Sequence, residues 1–72
     1  MIEITVNCND DTLEINDDVH KQNAIIKLKG SPSHLVTILN EIFNRLGDAL
    51  GEMSGIRLTK VDEDTRTTVG EW

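Results

Sequence analysis

Between Asn7 and Asp18 the chain reads NCNDDTLEINDD, which places the carboxylates of Asp10, Asp11, Glu14, Asp17 and Asp18 around a short apolar pair, Leu13 and Ile15. A second acidic run, Asp62, Glu63 and Asp64, follows later. Carboxylates at this density have three uses. They can hold a hard cation, work as an acid–base pair, or meet a basic partner through charge-assisted hydrogen bonds. The spacing argues against a calcium loop, because NDDTLEINDD lacks the alternating acids, the central glycine and the closing glutamate of an EF-hand. The other reactive side chains are Cys8, His20 and His34. A nucleophilic Cys8 needs a base beside it. His20 falls in a different connection, and His34 belongs to the first turn of a helix. Cys8, on the inward parity of its strand, reads as a small core residue, and His34 as a surface residue. GDALG is no phosphate cradle, since it sits in an apolar helical pattern without the required Lys and Ser/Thr. No nucleophile, base and orienting group assemble, so the expectation is a protein that is not an enzyme and carries no cofactor or metal.

Whether the carboxylates converge depends on the elements that carry them. IEITVN alternates, with Ile2, Ile4 and Val6 on one face and Glu3, Thr5 and Asn7 on the other. NCNDD is rich in turn formers. TLEIN returns as a second strand, DDVHKQ connects, and NAIIKLKG makes a third with Ile26 and Leu28 inward and Ile25, Lys27 and Lys29 outward. GSPSHLVTILNEIFNRLGDALGEMSG then predicts one helix of about 20 residues, roughly 30 Å long. Ser31 is its N-cap and Pro32 its first residue. Leu35, Leu39, Ile42, Leu46, Ala49 and Met53 form its apolar stripe, widened by Ile38, Phe43 and Leu50. Gly47 is a soft point and Gly55 a reasonable stop. IRLTKV is a further strand, with Ile56 and Leu58 inward. Residues 65–72 form either a short edge strand or a tail, with Trp72 folded back or presented to a partner.

The order β-β-β-α-β implies an α+β two-layer sandwich, a four-stranded mixed sheet covered on one face by a single helix. The last strand is expected beside the first, running parallel to it. An extended segment from Thr12 to Asn16 then holds Asp11 and Asp17 about 20 Å apart, at opposite ends of the sheet. A catalytic carboxylate pair needs about 5 to 10 Å, so the two aspartate doublets cannot form one chemical centre. Asp10 and Asp11 are instead expected to share an end with Asp62, Glu63, Asp64 and the helix N-terminus. Asp17, Asp18 and Glu52 form a weaker patch at the other end.

Size and charge bound the function. Seventy-two residues make one domain, 1–72, that buries only about 60 % of its unfolded surface and leans on a partner or on unusually good patterning. One cysteine excludes an internal disulfide and suits a reducing, cytoplasmic setting. MIEITV is not a secretory leader, and no stretch has the roughly 18 apolar residues of a membrane span. The net charge is −6, and residues 1–18 carry six acids and no Lys or Arg. That balance disfavours direct nucleic-acid binding, which needs a basic face, and favours a basic protein surface as partner.

In size and charge the chain resembles small acidic proteins of phages and mobile elements, anti-CRISPR and anti-restriction proteins among them. That resemblance implies an inhibitor whose carboxylates mimic nucleic-acid phosphates on a DNA- or RNA-handling protein. Asp10, Asp11, Asp17, Asp18, Asp62, Glu63 and Asp64 are the candidate contacts. The alternative is an assembly protein whose homodimer forms through the outer sheet face or the tail, with Ile25, Val61 and Trp72 as contacts.

Overall fold

The computed structural model describes residues 1–50 and 55–72, with side chains described for all of these except 48–50. The elements are β1 (Ile2–Asn7), β2 (Thr12–Asp17), β3 (Gln22–Lys27), α1 (Pro32–Leu50), β4 (Ile56–Asp62) and β5 (Thr65–Glu71). The strands form one mixed sheet in the order β3-β2-β1-β4-β5, with α1 on one face. The expected α+β sandwich is present, and the region after Glu63 is a full seven-residue fifth strand.

β1 is the central strand. It pairs antiparallel with β2 and parallel with β4, so that Ile4 stands between Ile15 and Leu58. Alternation sorts the faces. Ile2, Ile4 and Val6 share the helix-facing side with Leu13 and Ile15 on β2, Ala24 and Ile26 on β3, and Ile56 and Leu58 on β4. Among the described residues the buried core is Ile4, Val6, Leu58 and, from the helix, Val36. β3 ends at Lys27, short of the expected Gly30. Leu28 nonetheless packs against the core, while its amide donates to the Asp11 carbonyl at 2.7 Å. Val19 lies in the β2–β3 loop and is exposed.

The helix begins as its capping residues dictate. Ser31 Oγ accepts from the His34 amide at 3.4 Å, and the Ser31 carbonyl accepts from Leu35 at 3.2 Å. Pro32, without an amide hydrogen, takes the first helical position at no loss. The orientation of the helix corrects the expected stripe. Val36 is its buried residue, with Leu39 and Phe43 packed beside it, whereas Ile38, Ile42 and Leu46 remain 40 %, 44 % and 41 % exposed. The cause lies at the β5 side. The Trp72 backbone pairs with Ile56 in both directions, at 2.7 and 2.8 Å, which returns its indole to the sheet's inner face. The ring packs on Phe43 with centroids 5.1 Å apart and donates from Nε1 to Asn44 Oδ1 at 2.9 Å. Phe43 and Asn44 are thereby held toward β5, and the opposite flank of α1 turns outward. Met53 and Glu52, the side chains of Ala49 and Leu50, and the helix stop before Gly55 lie outside the described residues.

Two glycines frame the tryptophan differently. At Gly70 a Cβ would come within 2.7 Å of Trp72 Cη2 and 2.9 Å of Cζ2. The ring therefore lies where any other residue would project. A bulge between Leu58 and Thr59 leaves Val69 without a cross-strand partner, and Val69 packs against the core. At Gly47 a Cβ would meet only Trp72 Cδ1, at 4.0 Å, an ordinary contact. Gly70→Ala is therefore expected to cost about 1 to 3 kcal/mol by displacing the indole. Gly47→Ala is expected to gain up to about 1 kcal/mol from helix propensity. Urea unfolding followed by Trp72 fluorescence measures both, with Gly70→Ala also shifting the native emission to the red.

Candidate functional site

Two of the acidic connections are built by one device. The loop 8–11 follows Asn7, whose Oδ1 accepts from the amides of Asn9 at 2.9 Å and Asp10 at 3.2 Å. The loop 18–21 follows Asp17, whose Oδ1 accepts from Val19 at 3.0 Å and His20 at 3.3 Å. Each loop closes with a residue at φ 55°, Asp11 in one and Lys21 in the other. An Asx side chain that bonds the amides two and three residues on organises the turn locally, and a left-handed residue then re-enters the strand. The third acidic connection, between Asp62 and Thr65 in β4–β5, also holds one residue in this region, Glu63 at φ 54°.

The strand between the first two loops sets their distance. β2 is extended from Thr12 to Asp17, so Asp10 and Asp11 lie at one end of the sheet and Asp17 and Asp18 at the other. The parallel β1–β4 register, Asn7 opposite Val61, brings the β4–β5 turn to the end that holds Asp10 and Asp11. Cys8 donates its amide to the Val61 carbonyl at 2.7 Å. Asn9 then locks the two turns together. Its Nδ2 donates to the Glu63 carbonyl and its Oδ1 accepts from the Glu63 amide, both at 2.8 Å. This side-chain amide replaces a pair of strand-to-strand bonds beyond the end of the ladder. The helix N-terminus reaches the same end, where Ser33 Oγ stands 3.9 Å from Cys8 Sγ.

Asp10, Asp11, Asp62, Glu63 and Asp64 are thus gathered from two loops onto one exposed pole. Among the described residues none of the five forms an ion pair. Lys27 does approach, but its Nζ donates to the Asp10 backbone carbonyl at 2.6 Å. The far pole differs, for its acids are partnered. Asp17 Oδ2 lies 2.7 Å from His20 Nδ1, and Asp18 lies 2.6 Å from the Met1 amine. The His20 side-chain bond, followed by the His20 amide, holds the Asp17 carboxyl below its ordinary value of 3.8. The bond from the Met1 amine does the same for Asp18. Glu52 is outside the described residues.

Cys8 is half-buried in its loop rather than in the core, with a serine and not a histidine as its recorded polar neighbour. The reason is that β1 ends at Asn7, one residue too early for Cys8 to continue the inward alternation. Among the described residues no three His, Cys, Asp or Glu side chains converge as metal ligands, and no helix is long and apolar enough to cross a membrane.

The outer sheet face is knitted by charge. Glu3 accepts from Arg66 at 2.9 Å and from Arg57 at 3.4 Å, and Arg57 also donates to Glu71 at 2.8 Å. Glu71 first, and Glu3 second, raise the Arg57 pKa further above its ordinary value. These long side chains spread over the sheet, where Thr5 and Thr59 are buried. Ile25 is 62 % exposed on this face and Val61 half-buried. Trp72 lies on the opposite face, committed to Phe43 and Asn44. The sequence offered no sign of the Asn9 clamp beyond an asparagine in a turn, since its partner is 54 residues away.

The class defined by these features is a two-layer α+β protein with one five-stranded sheet, one helix and carboxylates massed at one pole. Comparison with protein-family models, with curated proteins and with solved structures yields no match.

Two measurements probe the loops. Asn9→Ala removes both bonds to Glu63 and is expected to cost about 1 kcal/mol, with faster hydrogen exchange at the Glu63 amide while β2–β3 amides keep their protection. The Asp17 contact favours the ionised carboxyl in the folded state. Its contribution is therefore complete above the ordinary value of 3.8 and is lost as pH falls below that through the folded value. In His20→Ala the Asp17 carboxyl, followed by carbon NMR, is expected to titrate closer to 3.8.

Proposed function

We propose that this chain is a non-catalytic binding module that offers its acidic pole to a basic protein surface. The observation that carries this reading is the Asn9–Glu63 clamp, which holds two acidic turns in one fixed arrangement whose carboxylates form no ion pair among the described residues. Carboxylates positioned before binding lose little freedom on meeting Lys or Arg, and charge-assisted bonds to them are roughly twice as strong as neutral ones. A basic surface evolved to grip phosphates is the natural counterpart. In its sharper form the module is a phage or mobile-element inhibitor of the anti-CRISPR kind, which occupies the nucleic-acid site of a host protein. Asp10, Asp11, Asp62, Glu63 and Asp64 make the principal contacts and Asp17 and Asp18 the secondary ones. A homo-oligomer is favoured by a separate observation, an exposed apolar flank on the helix side, and not by the outer sheet face or the C-terminal segment expected from the sequence.

Charge reversal tests the reading. The double variant Asp10→Lys, Asp62→Lys is compared with a charge-matched control, Glu41→Lys, Glu71→Lys, which breaks two surface ion pairs worth about 0 to 1 kcal/mol each, sets a lysine beside each freed arginine and leaves the acidic pole intact. Capture of basic nucleic-acid-binding proteins is expected to fall tenfold or more in the first and to persist in the second. Capture should also weaken with added salt and be displaced by duplex DNA or RNA. Equal capture by both double variants would overturn the proposal.

A further inference from the structure

The helix covers only part of its sheet. α1 packs chiefly on β1 and β4, and its tie to Trp72 holds it toward β5. The inner face of the β2–β3 hairpin is left open, with Ile15 40 % and Ile26 55 % exposed. The turned-out flank of the helix overhangs this opening. Ile38, Ile42 and Leu46, spaced by four, make an apolar ridge along it. A trough thus runs between ridge and hairpin. One end is a cavity of about 340 Å³ lined by Leu28, His34, Leu35 and Ile38. A second cavity of about 460 Å³, lined by Ile2, Ile15 and Ala24 and rimmed by Asp17, Gln22 and Asn23, opens over the other end of the hairpin. Among the described residues nothing walls the trough on its far side, because β3 is the edge of the sheet.

Three observations select the occupant. The first is shape. Ridge and trough lie side by side on one surface, so a two-fold rotation lays the ridge of each copy against the trough of the other, as a self-complementary interface requires. The second is area. Ile15, Ile26, Ile38, Ile42 and Leu46 together expose on the order of 400 Å², as much as the largest patch on a typical monomer. With their polar rim they approach the roughly 800 Å² that each partner gives to a standard interface. Among the described residues four hydrophobic side chains are buried in the core, and a chain this short buries little of its surface, which makes permanent cover of the trough a matter of stability. The third is charge. Asp10, Asp11 and Asp18 sit in loops at the sheet's ends, and Asp17, which ends β2 and lines one end of the trough, is paired with His20, whereas residues 19–29, which form the open edge, carry Lys21, Lys27 and Lys29 and no acid. Two anionic copies therefore meet where their mutual repulsion is least.

We propose that two copies of this chain close on one another through this face, with Ile38, Ile42 and Leu46 of each copy packed against Ile15 and Ile26 of the other. The outer sheet face and the acidic pole both stay open in the pair, so the proposal stands independently of the binding role.

Sedimentation or light scattering on the whole chain provides the test. A mass of twice 8.1 kDa at micromolar concentration is expected. Ile26→Lys and Ile42→Glu, each at an exposed position, are expected to weaken the pair by a hundredfold or more with unchanged circular dichroism. Their combination should recover at least tenfold, because the two new charges meet across the interface. Ile25→Glu, on the opposite face, should leave the mass unchanged. Should the variants fail to fold, dilution of the unaltered protein decides the matter, with the methyl resonances of Ile15, Ile26, Ile38 and Ile42 moving and those of Ile25 staying still. A wild-type mass of 8.1 kDa throughout, or a dimer broken by Ile25→Glu and not by Ile26→Lys or Ile42→Glu, overturns the proposal.

Discussion

Parallel strands cannot be joined by a tight turn, and the parallel pairing of β1 with β4 is the constraint from which the other features follow. To bring Ile56–Asp62 alongside Ile2–Asn7, the intervening chain must travel out through two antiparallel strands and return over the sheet as a helix. That path makes β1 central, and it buries Ile4, Val6 and Leu58 beneath Val36. It also decides which turns become neighbours. Because β1 and β4 run the same way, the turns that follow them emerge at the same end, and two acidic segments distant in sequence meet there.

The meeting would be costly if the turns were loose, since five carboxylates would gain by moving apart. Asn9 opposes this by giving the Glu63 backbone both a donor and an acceptor. At the other pole the solution is chemical rather than geometric. Asp17 and Asp18 each find a basic group within hydrogen-bonding distance. One chain thus contains two ways of managing acid: among the described residues the carboxylates of the first pole form no ion pair, while Asp17 and Asp18 each have one.

Trp72 has an influence out of proportion to its place at the edge of the molecule. Its indole fits only because Gly70 lacks a side chain beneath it, and it grips Phe43 and Asn44 from the β5 side. The helix is thereby rolled, so one apolar flank is buried and the other exposed. A single 19-residue helix cannot cover five strands whose spacing is about 4.8 Å. The roll leaves β3 and the Ile15 end of β2 uncovered, while Leu13 still packs against the core.

Much of the design was legible in the sequence. Alternation in IEITVN, TLEIN and IRLTKV assigned the inner and outer residues correctly, because a strand's period of two is a local property. Ser31 and Pro32 marked the helix start for equally local steric and hydrogen-bonding reasons. The separation of Asp11 from Asp17 followed from chain geometry alone. The helix stripe was misjudged because periodicity defines an apolar arc without saying which part of it meets the sheet. Leu39, Phe43, Ile42 and Leu46 all lie within that arc and Val36 lies just beyond its edge, and the distant Trp72 favours the Phe43 side. The same holds for Cys8, whose parity was read through a strand that ends one residue before it. The sequence by itself determined the elements, their order and the spread of charge, since these depend on neighbours along the chain. Tertiary structure alone decided the roll of the helix, the Asn9 clamp and the bare face of the β2–β3 hairpin, because each rests on contacts between residues or elements far apart in sequence.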